Sequence, residues 1–267
     1  MNTRLTMLWI AVSLGVCQNV FATKGGAVGF DFLQTDRFGN EINASRSICG
    51  VDATSPMIEE DEDFQKFGHP IGQYREMSAS GGMGRCTGTL ISPDLFLTAR
   101  HCIQRGCEFI EVAFNFHAQR DEQEIFKCAE VVEKGGASNQ DDYLILRLEG
   151  KPGVRWGYYA PAAEPVKNQQ ALMMIHHPKG KPMQVSWDGC EVKETKENML
   201  HHRCDTEPGS SGSGILTQET ETPNNVRVVG VHTLGGCMKV GQTSSNSGPL
   251  MSHLLTLSPT LSSLAKK

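Results

Sequence analysis

The sequence predicts an all-β fold in which two small barrels pack together as one unit, and three observations carry that expectation. From Cys86 onward, short β-type runs are broken by Gly, Pro, Asn and Asp. Helical periodicity is scarce outside the tail. The stretch from Ile48 on is roughly 220 residues, enough for two small barrels packed together as one unit.

The strand signals follow in order. Cys86-Thr87-Gly88-Thr89-Leu90-Ile91 reads as the first strand of a hairpin, and Leu95-Phe96-Leu97-Thr98 as the second. Ile110 to Phe116 alternates apolar and polar positions, and Tyr143 to Leu148, Ala171 to Ile175 and Val226 to Val231 are further β-type runs. The tail differs: Leu250, Leu254, Leu257, Leu261 and Leu264 are spaced by three and four, which predicts a short, partly helical C-terminal segment despite Pro259. The acidic stretch Glu59 to Asp63 lacks the alternating ligands and glycine of a calcium loop and reads as a solvated loop.

At the N-terminus a short basic start precedes an apolar run from Met7 to Val16, too short for a bilayer-spanning helix, which needs about 20 residues. With Val20-Phe21-Ala22 behind it, the run predicts a signal peptide over residues 1–22. Residues 23–47, Gly-rich, polar and without cysteine, read as a propeptide or loose arm, and residues 48–267 as the folded domain. The expected location is therefore secreted or periplasmic, with no membrane partner once the signal is removed. A net charge of −5 without a Lys/Arg block argues against nucleic acid as a partner. A monomer is expected.

Of nine cysteines, Cys17 falls in the signal peptide, leaving Cys49, Cys86, Cys102, Cys107, Cys128, Cys190, Cys204 and Cys237. An even set in an exported chain reads as disulfides. The competing reading is a metal site using His176-His177 or His201-His202, but no CxxC or HExxH spacing supports it, so no metal or cofactor is expected.

Three local patterns carry chemistry. Thr98-Ala99-Arg100-His101-Cys102 follows an apolar strand and offers His101 as a general base, pinned to the sheet if Cys102 is bonded. Asp141-Asp142-Tyr143-Leu144-Ile145-Leu146 places an acid at the mouth of a buried strand; Asp142 abuts the apolar run and can be held inward, whereas Asp141 reads as a turn residue. Glu207-Pro208-Gly209-Ser210-Ser211-Gly212-Ser213-Gly214 supplies a glycine-bounded turn that can present the Ser211 hydroxyl, with the N–H groups of Gly209 and Ser211 as an oxyanion hole.

Taken together and in this order, these residues resemble the trypsin-like serine peptidases, and among them the bacterial glutamyl and lysyl endopeptidases. Thr206 to Ser213 and Ile175-His176-His177-Pro178 are especially similar to the lysyl enzymes. The resemblance covers roughly Ile48 to His253. It implies two packed six-stranded antiparallel β-barrels of the chymotrypsin type, a secreted serine endopeptidase acting on protein or peptide substrates through His101, Asp142 and Ser211, and an acyl-enzyme. It also implies the pairs Cys86–Cys102 and Cys49–Cys237; Cys107–Cys128 and Cys190–Cys204 then close local loops.

Departures from the family are informative. Ser210 stands where the animal enzymes carry an aspartate that pairs with the newly cut N-terminus, so activation through that ion pair is not expected. Arg46-Ser47-Ile48-Cys49-Gly50 resembles the bacterial mature start, implying propeptide removal near Arg46 or Ser47. For selectivity, Asp205 matches the position of a pocket-floor carboxylate that selects Arg or Lys, whereas Thr206 and His232, with Thr233 beside them, match positions that bind an acidic side chain. From Thr233 on there is no Asp or Glu, which closes the route by which lysyl enzymes select lysine. Glu-type selectivity is the expectation and Arg/Lys the alternative. A protease-like binding protein without activity is the rival function, and its hallmark would be a broken triad.

Overall fold

The structure, a computed structural model, describes residues 47–79, 81–117, 123–218, 222–237 and 245–265. The signal peptide and all of the expected propeptide except Ser47 lie outside these residues. A short strand β1 (Ser55–Pro56) and a one-turn helix α1 (Glu62–Gln65) precede six strands: β2 (Ile71–Met77), β3 (Met83–Leu90), β4 (Leu95–Thr98), β5 (Ile110–Phe114), β6 (Glu124–Lys134) and β7 (Leu144–Leu148). These close a barrel in the order β2-β3-β4-β7-β6-β5. After the helical turn α2 (Gly153–Trp156) come β8 (Ala160–Pro161), β9 (Leu172–His176), β10 (Gln184–Ser186), β11 (Val192–Lys196), β12 (Met199–His202), β13 (Gly214–Thr217), β14 (Arg227–Val231) and β15 (Asn246–Pro249).

The second barrel is less regular than the first. Its strands form a six-stranded sheet, β1-β10-β9-β13-β14-β8, and a three-stranded sheet, β11-β12-β15. Isolated bridges Ala171↔Glu191 and Gly230↔Leu250 join the two sheets at their corners. Register shifts interrupt the ladders close to these corners, between Val192 and Glu194 in the β11–β12 pair and between Ile215 and Leu216 in the β13–β14 pair.

The most apolar of the runs that read as strands, in β4, β7 and β9, have both of their faces covered. In β7, Leu144 and Leu146 point into the first barrel with Phe96 and Phe114, while Ile145 points to the opposite side. In β9, Leu172 and Met174 fill the second barrel, and Met173 and Ile175 face the other way. The alternate residues of both barrels meet in one cluster, Leu97 and Ile145 against Met173, Ile175, Leu216 and Val231. Side chains alternate with period two along a strand, so one sequence run serves a barrel interior and the seam between barrels at once.

The tail forms two helices, α3 (Met251–Leu257) and α4 (Pro259–Ala265). Pro259 takes the first helical position of α4, where its missing N–H costs nothing, and the Ser258 hydroxyl accepts from Leu261 N–H as the cap. Leu254 and Leu261 are fully buried, whereas Leu257, the last residue of α3, is 46% exposed, so one of the five leucines faces outward. The acidic stretch is exposed but not a plain loop: Asp61 caps α1 by accepting from Phe64 N–H, and Glu60 accepts from the Ser55 hydroxyl.

All four disulfides join the expected partners: Cys49–Cys237, Cys86–Cys102, Cys107–Cys128 and Cys190–Cys204. Their sulfurs are therefore not thiolate ligands, which removes the cysteines from any zinc reading. Ser47, counted with the loose arm on sequence grounds, belongs to the folded unit. It is buried, pairs with Thr206 through both backbone groups, and is held by the buried Asn246, whose amide also donates to Cys204 O.

Truncating the seam should be costly. Ile145→Ala is expected to lower unfolding free energy by about 2–5 kcal/mol in chemical denaturation. Ile125→Ala, at a side chain 50% exposed, should change it by less than about 0.5 kcal/mol.

Candidate active site

His101 and Asp142 are brought together by the β4–β7 pairing. Thr98 lies opposite Leu144 in that ladder, so the residues just after β4 face those just before β7. His101 sits in a 3-10 turn, Arg100–Cys102, anchored by the Cys86–Cys102 bond. Asp142 grips it twice: Oδ1 accepts from His101 N–H at 3.0 Å, and Oδ2 lies 2.6 Å from His101 Nδ1. The carboxylate is buried and therefore acts as a fixed acceptor, holding the proton on Nδ1 and leaving Nε2 as the basic nitrogen. Asp141, read as a turn residue, does end a 3-10 turn, and its carboxylate also lies 2.9 Å from His253 Nε2 on α3. Nothing in the structure accounts for Arg100.

Ser211 is docked onto the same edge of the first barrel. Its carbonyl accepts from Thr87 N–H at 2.8 Å and lies 3.9 Å from the sulfur of Cys102, next in sequence to His101. Gly212 adopts φ +86°, and a Cβ there would collide with Thr98 Oγ1 and the Thr87 backbone, so only glycine lets the turn come this close. Gly209 at φ +94° is equally constrained: a Cβ would meet His177 O at 2.8 Å and Lys179 N at 2.9 Å.

The geometry of the turn also orients its N–H groups. In a trans peptide, C=O and N–H point in opposite directions. Pro208 O is tied to Lys179 N–H at 2.5 Å, which directs Gly209 N–H the other way. Ser210 O accepts from Ser213 N–H at 3.1 Å and from its hydroxyl at 2.8 Å, which does the same for Ser211 N–H. Among the described residues neither N–H has an acceptor. Two unspent donors flanking one serine hydroxyl are what an oxyanion requires.

The four residues considered for substrate binding fall into two groups. Asp205 is buried and committed to structure: its oxygens accept from Cys49 N–H at 2.7 Å and Ala53 N–H at 2.9 Å. Burial raises its carboxyl above the ordinary range, against the lowering effect of those two bonds. Thr206 is bridged to Ser47. His232 and Thr233 are both buried, with no described partner for Thr233 Oγ1.

A second histidine stands behind His232, one whose sequence context suggests only a possible metal ligand. His202 Nε2 lies 3.2 Å from His232 Nδ1, while His202 Nδ1 is buried without a partner. An orphaned lone pair is tolerated better than an orphaned N–H. The favoured tautomers therefore have His202 Nε2–H donating to His232 Nδ1, and His232 carrying its own proton on Nε2. Two neighbouring histidines with this division of labour leave no local trace in sequence, because β12 and β14 are brought together only by the fold.

Residues 42–248 match the family model described as lysyl endopeptidase, C-terminal domain. Bovine (Bos taurus) serine protease 23 is 28% identical over 165 residues, spanning 50% of this chain and 44% of that protein. The human (Homo sapiens) serine protease 23 is 29% identical over 166 residues, spanning 50% and 43%. The chain thus spans less than half the length of these relatives. Among solved structures, a Glu endopeptidase in complex with MPD superposes with a TM-score of 0.59 at 18% identity, covering 83% of this chain and 100% of that one. The active form of the Rv3671c protease from M. tuberculosis gives 0.56 at 16%, covering 78% and 88%. Both likenesses concern the fold.

Burial holds several histidines neutral and makes stability acid-sensitive. Desolvation pushes His176, His177 and His232 each down to about 3, and His202 well below its ordinary value. The unfolded chain protonates these groups near the ordinary 6.5, so below that pH it binds more protons than the folded chain. Stability is then complete above pH 6.5 and declines as pH falls toward 3. At pH 5 the expected loss is about 2 kcal/mol for each of His176, His177 and His232, checked by urea midpoints across pH 4 to 8.

Proposed function

Because this chain belongs to the lysyl endopeptidase C-terminal domain family, we propose that it is a serine endopeptidase hydrolysing peptide bonds through an acyl-enzyme on Ser211. The observation that carries the reading is the double grip of Asp142 on His101, beside a serine turn whose two free N–H groups are aimed by pinned carbonyls. In this mechanism His101 Nε2 takes the Ser211 hydroxyl proton as Oγ attacks the scissile carbonyl. The resulting oxyanion is held by Gly209 N–H and Ser211 N–H, and His101 returns the proton to the leaving amine. Water then repeats the sequence on the acyl-enzyme, with His101 again as the base.

For selectivity we favour an acidic side chain before the scissile bond. The tautomer argument leaves a proton on His232 Nε2, a donor suited to a carboxylate, with Thr206 and Thr233 as neighbouring hydroxyls. Asp205, the residue on which Arg or Lys selectivity would rest, spends both oxygens on the backbone of the chain's first described segment. Export is part of the same proposal, supported by four disulfides and the apolar N-terminal run. Removal of a propeptide near Arg46 would complete it, and N-terminal sequencing of the exported protein tests both.

A fluorophosphonate probe is expected to label the wild type on Ser211. Ser211→Ala and His101→Ala should each lower peptide hydrolysis by about 10⁴–10⁶-fold, and Asp142→Asn by about 10⁴-fold. Retention of wild-type rates in Ser211→Ala would refute the mechanism; failure of the wild type to react at all would favour a binding protein that keeps the fold.

On reporters differing only in Glu, Lys or Arg before the cut, cleavage after Glu is expected. His232→Leu should lower kcat/KM for the Glu reporter by about 10–100-fold, the worth of one hydrogen bond to a charged group. Cleavage after Lys or Arg that is lost in Asp205→Asn would reverse the assignment.

A further inference from the structure

The residue before the proposed nucleophile is turned inward onto an uncharged partner. Ser210 and His176 are both fully buried, and Ser210 Oγ lies 2.6 Å from His176 Nδ1. The same Oγ accepts from Glu207 N–H at 3.2 Å. Among the described residues, His176 Nε2 is buried without a hydrogen-bond partner. If Ser210 donates to Nδ1, the Nε2 proton has no acceptor; if Nδ1–H donates to Ser210, the hydroxyl proton has none within the pair. Either arrangement gives up a hydrogen bond that an apolar pair of the same shape would not need, so packing alone does not explain the contact.

Its position supplies an explanation. Ser210 contributes the carbonyl of the peptide whose N–H belongs to Ser211, and His176 ends β9, from which residues 177–180 wrap the other side of the same turn. We propose that His176 is a positioning residue that sets the oxyanion turn through Ser210, doing with a neutral hydrogen bond what a charged residue at 210 would do with an ion pair. Holding Ser210 inward fixes the rotation of the Ser210–Ser211 peptide, and with it the convergence of Ser211 N–H on the point that Gly209 N–H faces. The lock lies wholly within the second barrel, and none of its members carries a charge.

This inference rests on the serine-nucleophile reading, and the experiment separates the two. Wild type, Ser210→Ala, His176→Phe and the double variant are compared for kcat, KM, thermal melting and affinity for a peptide aldehyde, which captures Ser211 as a tetrahedral adduct, alongside a product-like peptide acid. Each single variant is expected to lose about 10–100-fold in kcat with KM changed by less than about threefold. Aldehyde affinity should fall by a similar factor while peptide-acid affinity holds. The double variant should lose no more than the worse single, because both remove one unit. A role in stability alone would lower the melting temperature and leave the rate and aldehyde affinity of the folded protein intact, which overturns the proposal, as would losses that multiply in the double variant. Should His176→Phe fail to fold, Ser210→Ala with its aldehyde affinity decides the matter. Absence of fluorophosphonate labelling in the wild type would instead remove the reading beneath it.

Discussion

Thr87 is where the two barrels are joined into one unit. Its N–H donates to Ser211 O at 2.8 Å, its hydroxyl donates to Gly209 O at 2.9 Å and accepts from His177 N–H at 2.9 Å, and its carbonyl accepts from the Thr98 hydroxyl at 2.7 Å. The residue is fully buried, so each group would be costly to leave unpaired. One residue on β3, through its backbone and its hydroxyl, therefore ties together the Ser211 turn, the segment that cradles it and the strand leading to His101. A shift of the second barrel against the first must break several of these bonds together, which gives the seam a register that apolar packing alone would not enforce.

The apolar cluster between the barrels supplies the complementary part. Leu97 and Ile145 from the first barrel and Met173, Ile175, Leu216 and Val231 from the second exclude water at the seam. A charge is expensive in a dry setting, and the fully buried pairs Ser210–His176 and His202–His232 are built from neutral groups. The buried carboxylates that remain are satisfied by N–H groups. Asp142 holds His101, Asp205 holds Cys49 and Ala53, and Glu76 accepts from Gln104, Arg105 and Gly106 in the loop after His101.

What could be read from sequence is what is written locally. β4 carries the bounds expected of it, and the strands around Ile110, Tyr143, Ala171 and Val226 differ from expectation only at their ends, because alternation and turn residues act within a few positions. The residues proposed as base, acid and nucleophile stand in short motifs with fixed neighbours and were legible for the same reason. The polar contacts that hold them were not. Thr87 looks like an ordinary strand threonine, and Asn246, which ties Ser47 to Cys204, sits in a Ser/Asn/Gly stretch that reads as loop. The hydrogen-bond partners of Asp205 lie more than 150 residues away, at Cys49 and Ala53, so its sequence position suggested a pocket floor while its bonds show an anchor.

The tail helices illustrate how a distant element bears on the proposed acid. Asp142 is flanked by two residues that α3 and α4 restrain from behind. Asp141 is held by His253, and that hydrogen bond, with one from Ser138, keeps its carboxyl below the ordinary range. Tyr143 donates to Glu133 at 2.6 Å, and the other oxygen of Glu133 accepts from Ser258 at 2.9 Å, at the joint between the two helices. With both neighbours turned toward the tail, the backbone at Asp142 has little freedom to rotate its carboxylate away from His101. The leucine periodicity that marked this tail as helical thus encodes more than a packed end: burying Leu254 and Leu261 puts His253 and Ser258 where they brace the loop that orients the imidazole.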